Sequence, residues 1–319
     1  MTVLLKRLVM MVPMLIGITL VSFWIMHLAP GDPTSMMFDP RMSAQDLAQL
    51  RTNLGLNQPL IVQYGKWLTQ LCQGNFGYSF VTGKPVLTTI LERLPATLLL
   101  SITSLLLILA ITLPLGIYSG AKAHSWFDKA VTSFTFLGMA IPTFWLGMML
   151  ILVFSLWIGL FPSSGFLDPE LSDTPLINQM LNIAWHACLP VITLVIGGLA
   201  SLTRYHRSGT LKLLNQDFIR AARARGLSEK RILFKHVFKN AALPLVTILG
   251  LELPSLIGGA FVVEYVFAWP GMGQLGISAI FSRDYPIIMG ILLISSVLLI
   301  IGNLLADLAY AWIDPRISL

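Results

Sequence analysis

Charge is what this chain has least of: Asp, Glu, Lys and Arg together make up 11% of its 319 residues, while 55% are hydrophobic. A water-soluble fold of that length covers its surface with far more charge. The composition therefore argues against a soluble enzyme or binding domain and for an integral membrane protein. Cysteine is nearly absent too. The two present, Cys72 and Cys188, fall in a connecting loop and in an apolar run, which argues against a disulfide. No His/Cys/Asp/Glu group stands at metal-ligand spacing, and neither GxSxG nor HExxH occurs, so a membrane-bound enzyme lacks its catalytic constellation. A nucleotide-binding loop is missing as well. Gly77-x5-Gly83-Lys84-Pro85 has one residue too many between its glycines, and a proline where magnesium needs a Ser or Thr hydroxyl. No internal repeat is visible, so an inverted-repeat secondary transporter has no support.

What the chain does have is apolar runs. A helix crossing a hydrocarbon core of about 30 Å needs about 20 apolar residues. Six runs qualify, near 9–29, 97–118, 131–158, 187–203, 242–263 and 286–308. The expected fold class is an all-α integral membrane protein with six transmembrane helices. Pro13, Pro114, Pro142, Pro190 and Pro244 lie within the runs, which a bundle tolerates when neighbours satisfy the freed carbonyls. The third run is too long for one upright helix and predicts a kinked or tilted span ending in an interfacial segment near Trp157. With the N-terminus inside, the inner segments carry fifteen Lys and Arg and the outer segments six; both termini are predicted to be cytoplasmic. The net charge of +6 follows from that asymmetry and needs no nucleic-acid partner. Lys6-Arg7 precede the first run as they would in a signal peptide. That run is too long, and Pro30 follows Ala29 at the bond a peptidase would cut, so the first span is read as a retained anchor.

Ten basic residues lie between Arg204 and Lys239, with only Asp217 and Glu229 as acids. Leu211, Leu214, Phe218 and Ala222 keep helical spacing. Gly226 sits where a helix C-terminus favours a residue tolerant of the left-handed conformation. Ser228 can cap a second helix containing Ile232, Leu233, Val237 and Phe238. The stretch reads as two short helices broken at a glycine. A solvated loop accounts for the charge alone. It does not account for Ala221, Ala222 and Ala224 ahead of the glycine, nor for the apolar spacing. Both suit a docking surface, where small residues admit close approach and arginines ring a cleft.

On the predicted outer side, Leu28-Ala29-Pro30-Gly31-Asp32-Pro33 is a rigid exit turn. Helical patterning follows over Ala44–Leu54 and Leu60–Leu71, with Tyr64 and Trp67 as interfacial anchors. This region is either a cap on the membrane surface or a platform for something arriving from outside. Within the third run, the stretch from Gly138 through Pro142 to Gly147 is either a packing kink or the flexible wall of a translocation path. His186 reads as an interfacial, hydrogen-bonded residue. Glu252 lies well inside a span, where a charged carboxylate costs at least about 2.5 kcal/mol, so it faces the bundle interior or water. It either contacts a substrate ammonium or hydrogen-bonds at a helix interface. Glu264 marks the outer end of the fifth span. Phe267-x-Trp269-Pro270-Gly271-Met272-Gly273 and Arg283-Asp284-Tyr285-Pro286 predict a re-entrant or surface connection with Trp and Tyr at headgroup level.

These blocks resemble a known family. Ala221-Ala222-x-x-x-Gly226, followed by Asn240-Ala241-Ala242-Leu243-Pro244, is similar to the EAA loop of ABC importer permeases. Leu54-Gly55-Leu56-x-x-Pro59-Leu60, Gly74-Asn75-Phe76-Gly77, Glu92-Arg93-Leu94-Pro95-Ala96-Thr97, the Trp269 block and Asn303, Asp307 with Asp314-Pro315-Arg316 resemble the peptide/nickel class of these permeases. The likeness runs from Arg7 to Arg316. It implies a type I ABC importer permease fold, with an anchor over 1–29 and a helical extracytoplasmic region over 30–96. The transmembrane domain then covers 97–311, with the coupling loop at 204–239, and 312–319 form a cytoplasmic tail. It further implies that ATP and Mg belong to two separate ATPase subunits and that a second, similar permease completes a heterodimer. An extracytoplasmic binding protein would deliver the cargo, at the cytoplasmic membrane of a bacterium or archaeon. Coupling to the ATPase then falls to Asp217, Arg220, Ala221, Ala222, Arg225, Gly226 and Leu227, and the translocation path to Pro142, Glu252, Gly258 and Gly259. Arg220 departs from the pattern, standing where many members have Glu. Di- or oligopeptides are the broadest cargo implied; nickel chelates, glutathione-like compounds and oligosaccharides stay open. A stand-alone secondary transporter, the reading from another class, would have Glu252 as its only intramembrane relay.

Overall fold

The computed structural model describes residues 2–28, 52, 57–238, 240–241 and 260–313. Among these residues there is no β-strand, and a single bridge between Tyr78 and Pro85 closes a turn. The helices are α1 (Thr2–Leu28), α2 (Leu60–Cys72), α3 (Val86–Ala121), α4 (Trp126–Ala140) and α5 (Thr143–Leu150), the last continuing in wider turns over Ile151–Trp157. They are followed by α6 (Leu176–Leu214), α7 (Asp217–Ala224), α8 (Glu229–Arg231, widening over Ile232–Val237), α9 (Phe261–Val266), α10 (Met272–Phe281) and α11 (Tyr285–Ile313). Among the described residues α3, α6 and α11 are long and apolar enough to cross a membrane, and the pair α4 and α5 makes a fourth span if taken together. The fifth predicted span lies outside the described residues up to its last few, as do Pro244, Glu252, Gly258, Gly259, Asp314-Pro315-Arg316 and nearly all of 29–56.

Proline decides where the third run breaks. A residue before proline is pushed out of the helical region, and Ile141 is extended (ψ 122°). Pro142 then opens α5, where its missing N–H costs nothing. The result is a bend of 101° between α4 and α5, two helices nearly at right angles where a kinked or tilted span was predicted.

Length decides what α6 does. At about 1.5 Å per residue, its 39 residues reach about 58 Å, against a hydrocarbon core of about 30 Å. The predicted span 187–203 is only its middle. Arg204–Leu214 hold no proline, so the helix runs straight on through them. The first half of the basic stretch is thus a rigid extension of α6, which corrects its reading as a separate short helix.

The longest packed interface joins α3 and α6. In lipid, helices gain little from excluding water, so close packing through small residues does the work. Gly116 and Gly120 of α3, four apart, lie against His206 and Thr210 of α6. A Cβ on Gly116 would stand 2.5 Å from the His206 Cβ, and one on Gly120 2.7 Å from the Thr210 Cβ. Further along the same interface Leu100, Val191, Val195 and Leu199 close a core that also takes in Trp269. A second core joins Val86 and Ile90 to Met272, Ala279, Ile287 and Ile291 of α10 and α11. Helix α1 packs on α11, and α2 reaches α1 through Tyr64, whose hydroxyl lies 2.9 Å from that of Thr19.

Candidate functional site

The extension of α6 ends at Asn215-Gln216, and the chain turns into α7, Gly226 and α8. This elbow is built, not loose. Gly226 takes φ +77°, the left-handed conformation expected from its place after a helix. Its N–H donates to the Arg223 carbonyl (2.9 Å), and the Leu227 N–H donates to the Ala222 carbonyl (3.2 Å). These two bonds satisfy the last carbonyls of α7 in the Schellman arrangement, which brings Leu227 back over Ala222. Ser228 does start α8, in an extended conformation, but its hydroxyl makes no capping bond; its carbonyl accepts from the Ile232 N–H at 2.9 Å instead. Across the hinge, Arg223 grips Glu229 through Nε (2.7 Å) and Nη2 (3.1 Å). That guanidinium holds the Glu229 carboxyl below its ordinary value. The pair is largely exposed, so it orients the two short helices more than it stabilises them.

Burial separates the predicted coupling residues into two sets. Ile219 and Ala222 point inward and join Ile117 of α3 with Ile232, Val237 and Ala241 in one buried cluster, edged by Leu213, Leu214, Leu227 and Leu233. Asp217, Phe218, Arg220, Ala221, Arg225 and Gly226 are exposed. Ala222 therefore lies behind the exposed face of the elbow. Phe218, placed by spacing on the buried stripe, is exposed at the edge of α7. The reason is the break at Asn215-Gln216: it resets the helical phase, so the spacing counted from Leu211 does not carry through. Arg220, the departure from the family pattern, pairs weakly with the acid three residues before it, Asp217 (3.4 Å, both exposed).

The opposite end of the bundle holds a second polar construction. Glu264, fully buried, accepts from the Thr97 hydroxyl (2.9 Å) and from the N–H groups of Gly273 (2.7 Å) and Gln274 (3.2 Å). The Thr97 oxygen in turn accepts from the Met272 N–H (2.7 Å), and the Trp269 indole donates to the Ala96 carbonyl (2.9 Å). Trp269 and Tyr285 are buried: the connection is folded inward, where an indole N–H must find an acceptor. Asp284, also buried, accepts from the Ser79 hydroxyl and the Phe80 N–H (3.1 Å), so it fastens the Gly77–Pro85 turn. Sequence reasoning gave neither acid a task. The signal was there, since each acid lies close in sequence to Gly- and Pro-containing turns, where backbone N–H groups outside helices need acceptors.

Of the predicted path residues, only Pro142 falls in the described part, exposed at the bend between α4 and α5. His186 is buried, its Nδ1 3.0 Å from the Asn182 carbonyl and its Nε2 3.5 Å from Asp168, and both cysteines are free. No group of three or more metal-ligating side chains occurs among the described residues.

An all-helical bundle with a continuous helix delivering a basic, glycine-hinged elbow defines a membrane permease of the type I ABC importer fold. The chain belongs to the family described as binding-protein-dependent transport system inner membrane component, whose model matches residues 112–319, with the N-terminal component of the same systems matching 1–101. It is 47% identical over 317 residues to the oligopeptide transport system permease protein AppB of Bacillus subtilis, covering 98% of each chain. It is 37% identical to the dipeptide transport system permease protein DppB of Alkalihalophilus pseudofirmus, again over 98% of each chain. Among solved structures, a chain of the inward-facing MetNI methionine ABC transporter shares the fold with a TM-score of 0.52 at 20% identity, over 73% of this chain and 98% of that one.

Proposed function

We propose that this chain forms, with a second and similar permease, the translocation path for di- or oligopeptides delivered by an extracytoplasmic binding protein. In this reading ATP and Mg are held by separate ATPase subunits, which seat on the elbow at 217–227. One observation carries the docking. The elbow spends its apolar residues Ile219 and Ala222 on the end of α3 and turns Phe218, Ala221 and Arg225 outward. An aromatic beside a small residue with arginines around it is a surface suited to a partner's groove. The cargo class follows from the relatives named for oligopeptides and dipeptides. The N- and C-termini and the elbow lie on the cytoplasmic side, as the distribution of Lys and Arg requires.

The test separates surface from support. Ala221→Asp and Phe218→Ala are expected to strip the ATPase subunits from the purified complex and abolish peptide uptake while the permease pair stays intact. Ala222→Asp puts an acid into the cluster beneath and is expected to lower the yield of folded permease as well. Unchanged ATPase co-purification and uptake in both surface variants would overturn the docking.

A further inference from the structure

A buried carboxylate lies where α3, α4 and the extension of α6 meet. Asp128, in the first turn of α4, is buried. It accepts from Arg207 through Nε (2.5 Å) and Nη2 (2.8 Å) and from the Ser119 hydroxyl near the end of α3 (2.5 Å). It also accepts from the N–H of His124 (2.8 Å). His124 holds φ +65°, a conformation a non-glycine residue keeps only where its surroundings over-determine it. Arg207 stands two turns before α6 ends at Leu214. One side chain thus fastens three elements, and the basic partner sits on the helix that delivers the elbow.

The fastening is of a particular kind. A bidentate guanidinium–carboxylate pair fixes direction as well as distance. Apolar residues of similar volume would stabilise a helix contact at least as well as a buried ion pair, so stability alone does not call for it. On the same stretch of α6, Gly116 meets His206 and Gly120 meets Thr210, too close for either helix to slide. Ile117, between those glycines, is also a member of the cluster behind α7.

We propose that the Asp128–Arg207 pair ties the extension of α6 to the α3–α4 turn as one rigid strut, so that a displacement of the elbow moves the helices of the pathway and is not absorbed at the turn. Both are positioning residues, acting through the helices they join. The inference rests on the docking of ATPase subunits at 217–227. Its failure is distinguishable from a failure of that docking, because it is read with the ATPase still bound.

Arg207→Gln leaves the buried Asp128 carboxylate without its partner and Asp128→Asn leaves the partly buried Arg207 guanidinium without its acceptor; both are expected to lower assembly, Arg207→Gln the more. The double variant removes both charges, and the assembled complex is reconstituted with its binding protein and a labelled oligopeptide that the unmodified complex transports. The expected result is recovered assembly and ATP hydrolysis, with transport per ATP down by at least about fivefold, the low end of ordinary coupling between distant sites. Recovery of transport per ATP along with assembly would reduce the pair to a structural contact and overturn the proposal. A second measurement needs no change at the pair. Spin labels at Trp126→Cys and Tyr205→Cys, both exposed, in a chain with Cys72 and Cys188 replaced by Ser, report the strut directly. The expected distance is the same in nucleotide-free and ATP-bound complexes; a change beyond about 2 Å, the scale of helix sliding, overturns it.

Discussion

Single residues here act mainly through backbone groups that need partners. At Gly226 a Cβ would meet nothing within 4 Å, so only its φ of +77° restricts substitution. A non-glycine residue held there costs about 1–3 kcal/mol, and Asn, which tolerates that region best, costs least. The expected order of ATPase retention in pull-downs is Gly226, then Gly226→Asn, then Gly226→Val. Glu264 is a sharper case. Glu264→Ala leaves the Thr97 hydroxyl and the Gly273 and Gln274 N–H groups without an acceptor, at about 1–3 kcal/mol for each buried group left unpaired. Glu264→Gln keeps one oxygen for the two N–H groups. Thermal unfolding of the complex in detergent should therefore fall steeply for Glu264→Ala and modestly for Glu264→Gln; equal melting points would contradict the buried-acceptor role.

Between elements, distance of approach governs. Helices α3 and α6 touch through Gly116 and Gly120, where an added Cβ would also meet the backbone carbonyls of Thr203 (2.9 Å) and Arg207 (2.8 Å). Backbone cannot rotate aside as a side chain can, so Gly116→Leu and Gly120→Leu are expected to separate the helices and abolish assembly, measured as loss of the monodisperse complex. Gly209, on the same α6 extension, meets nothing within 4 Å. Gly209→Ala is expected to leave assembly intact and to stabilise the helix by up to about 1 kcal/mol, the propensity difference. A glycine's effect in this chain follows its neighbours.

For the whole molecule, orientation is the testable property. In a chain with Cys72 and Cys188 replaced by Ser, Thr82→Cys, in the exposed turn after Gly77, is expected to react with an impermeant maleimide in intact cells. Arg225→Cys, on the elbow, should react only after the membrane is opened. The reverse pattern would invert the bundle and move the elbow away from any cytoplasmic ATPase. Phe134, Phe136, Met139, Phe144 and Trp145 are left exposed along the α4–α5 bend, at the place where Pro142 breaks the third run.

The order of residues by itself determined the class of molecule. Apolar runs of membrane-crossing length, the bias of Lys and Arg, and the left-handed glycine after Ala221-Ala222 are local properties, readable because a span, a loop charge and a helix cap each involve residues close together in the chain. Tertiary structure decided the rest. It decided that Ala222 faces in while Phe218 faces out, because a break at Asn215 shifts the helical phase. Glu264 meets Thr97, and Asp284 meets Ser79, only when segments more than 160 positions apart in the sequence are folded together. Asp128 finds Arg207 across 79 positions. No periodicity encodes a contact at such separations; packing of α3 against α6, set by how closely two glycines allow the backbones to approach, is what creates it.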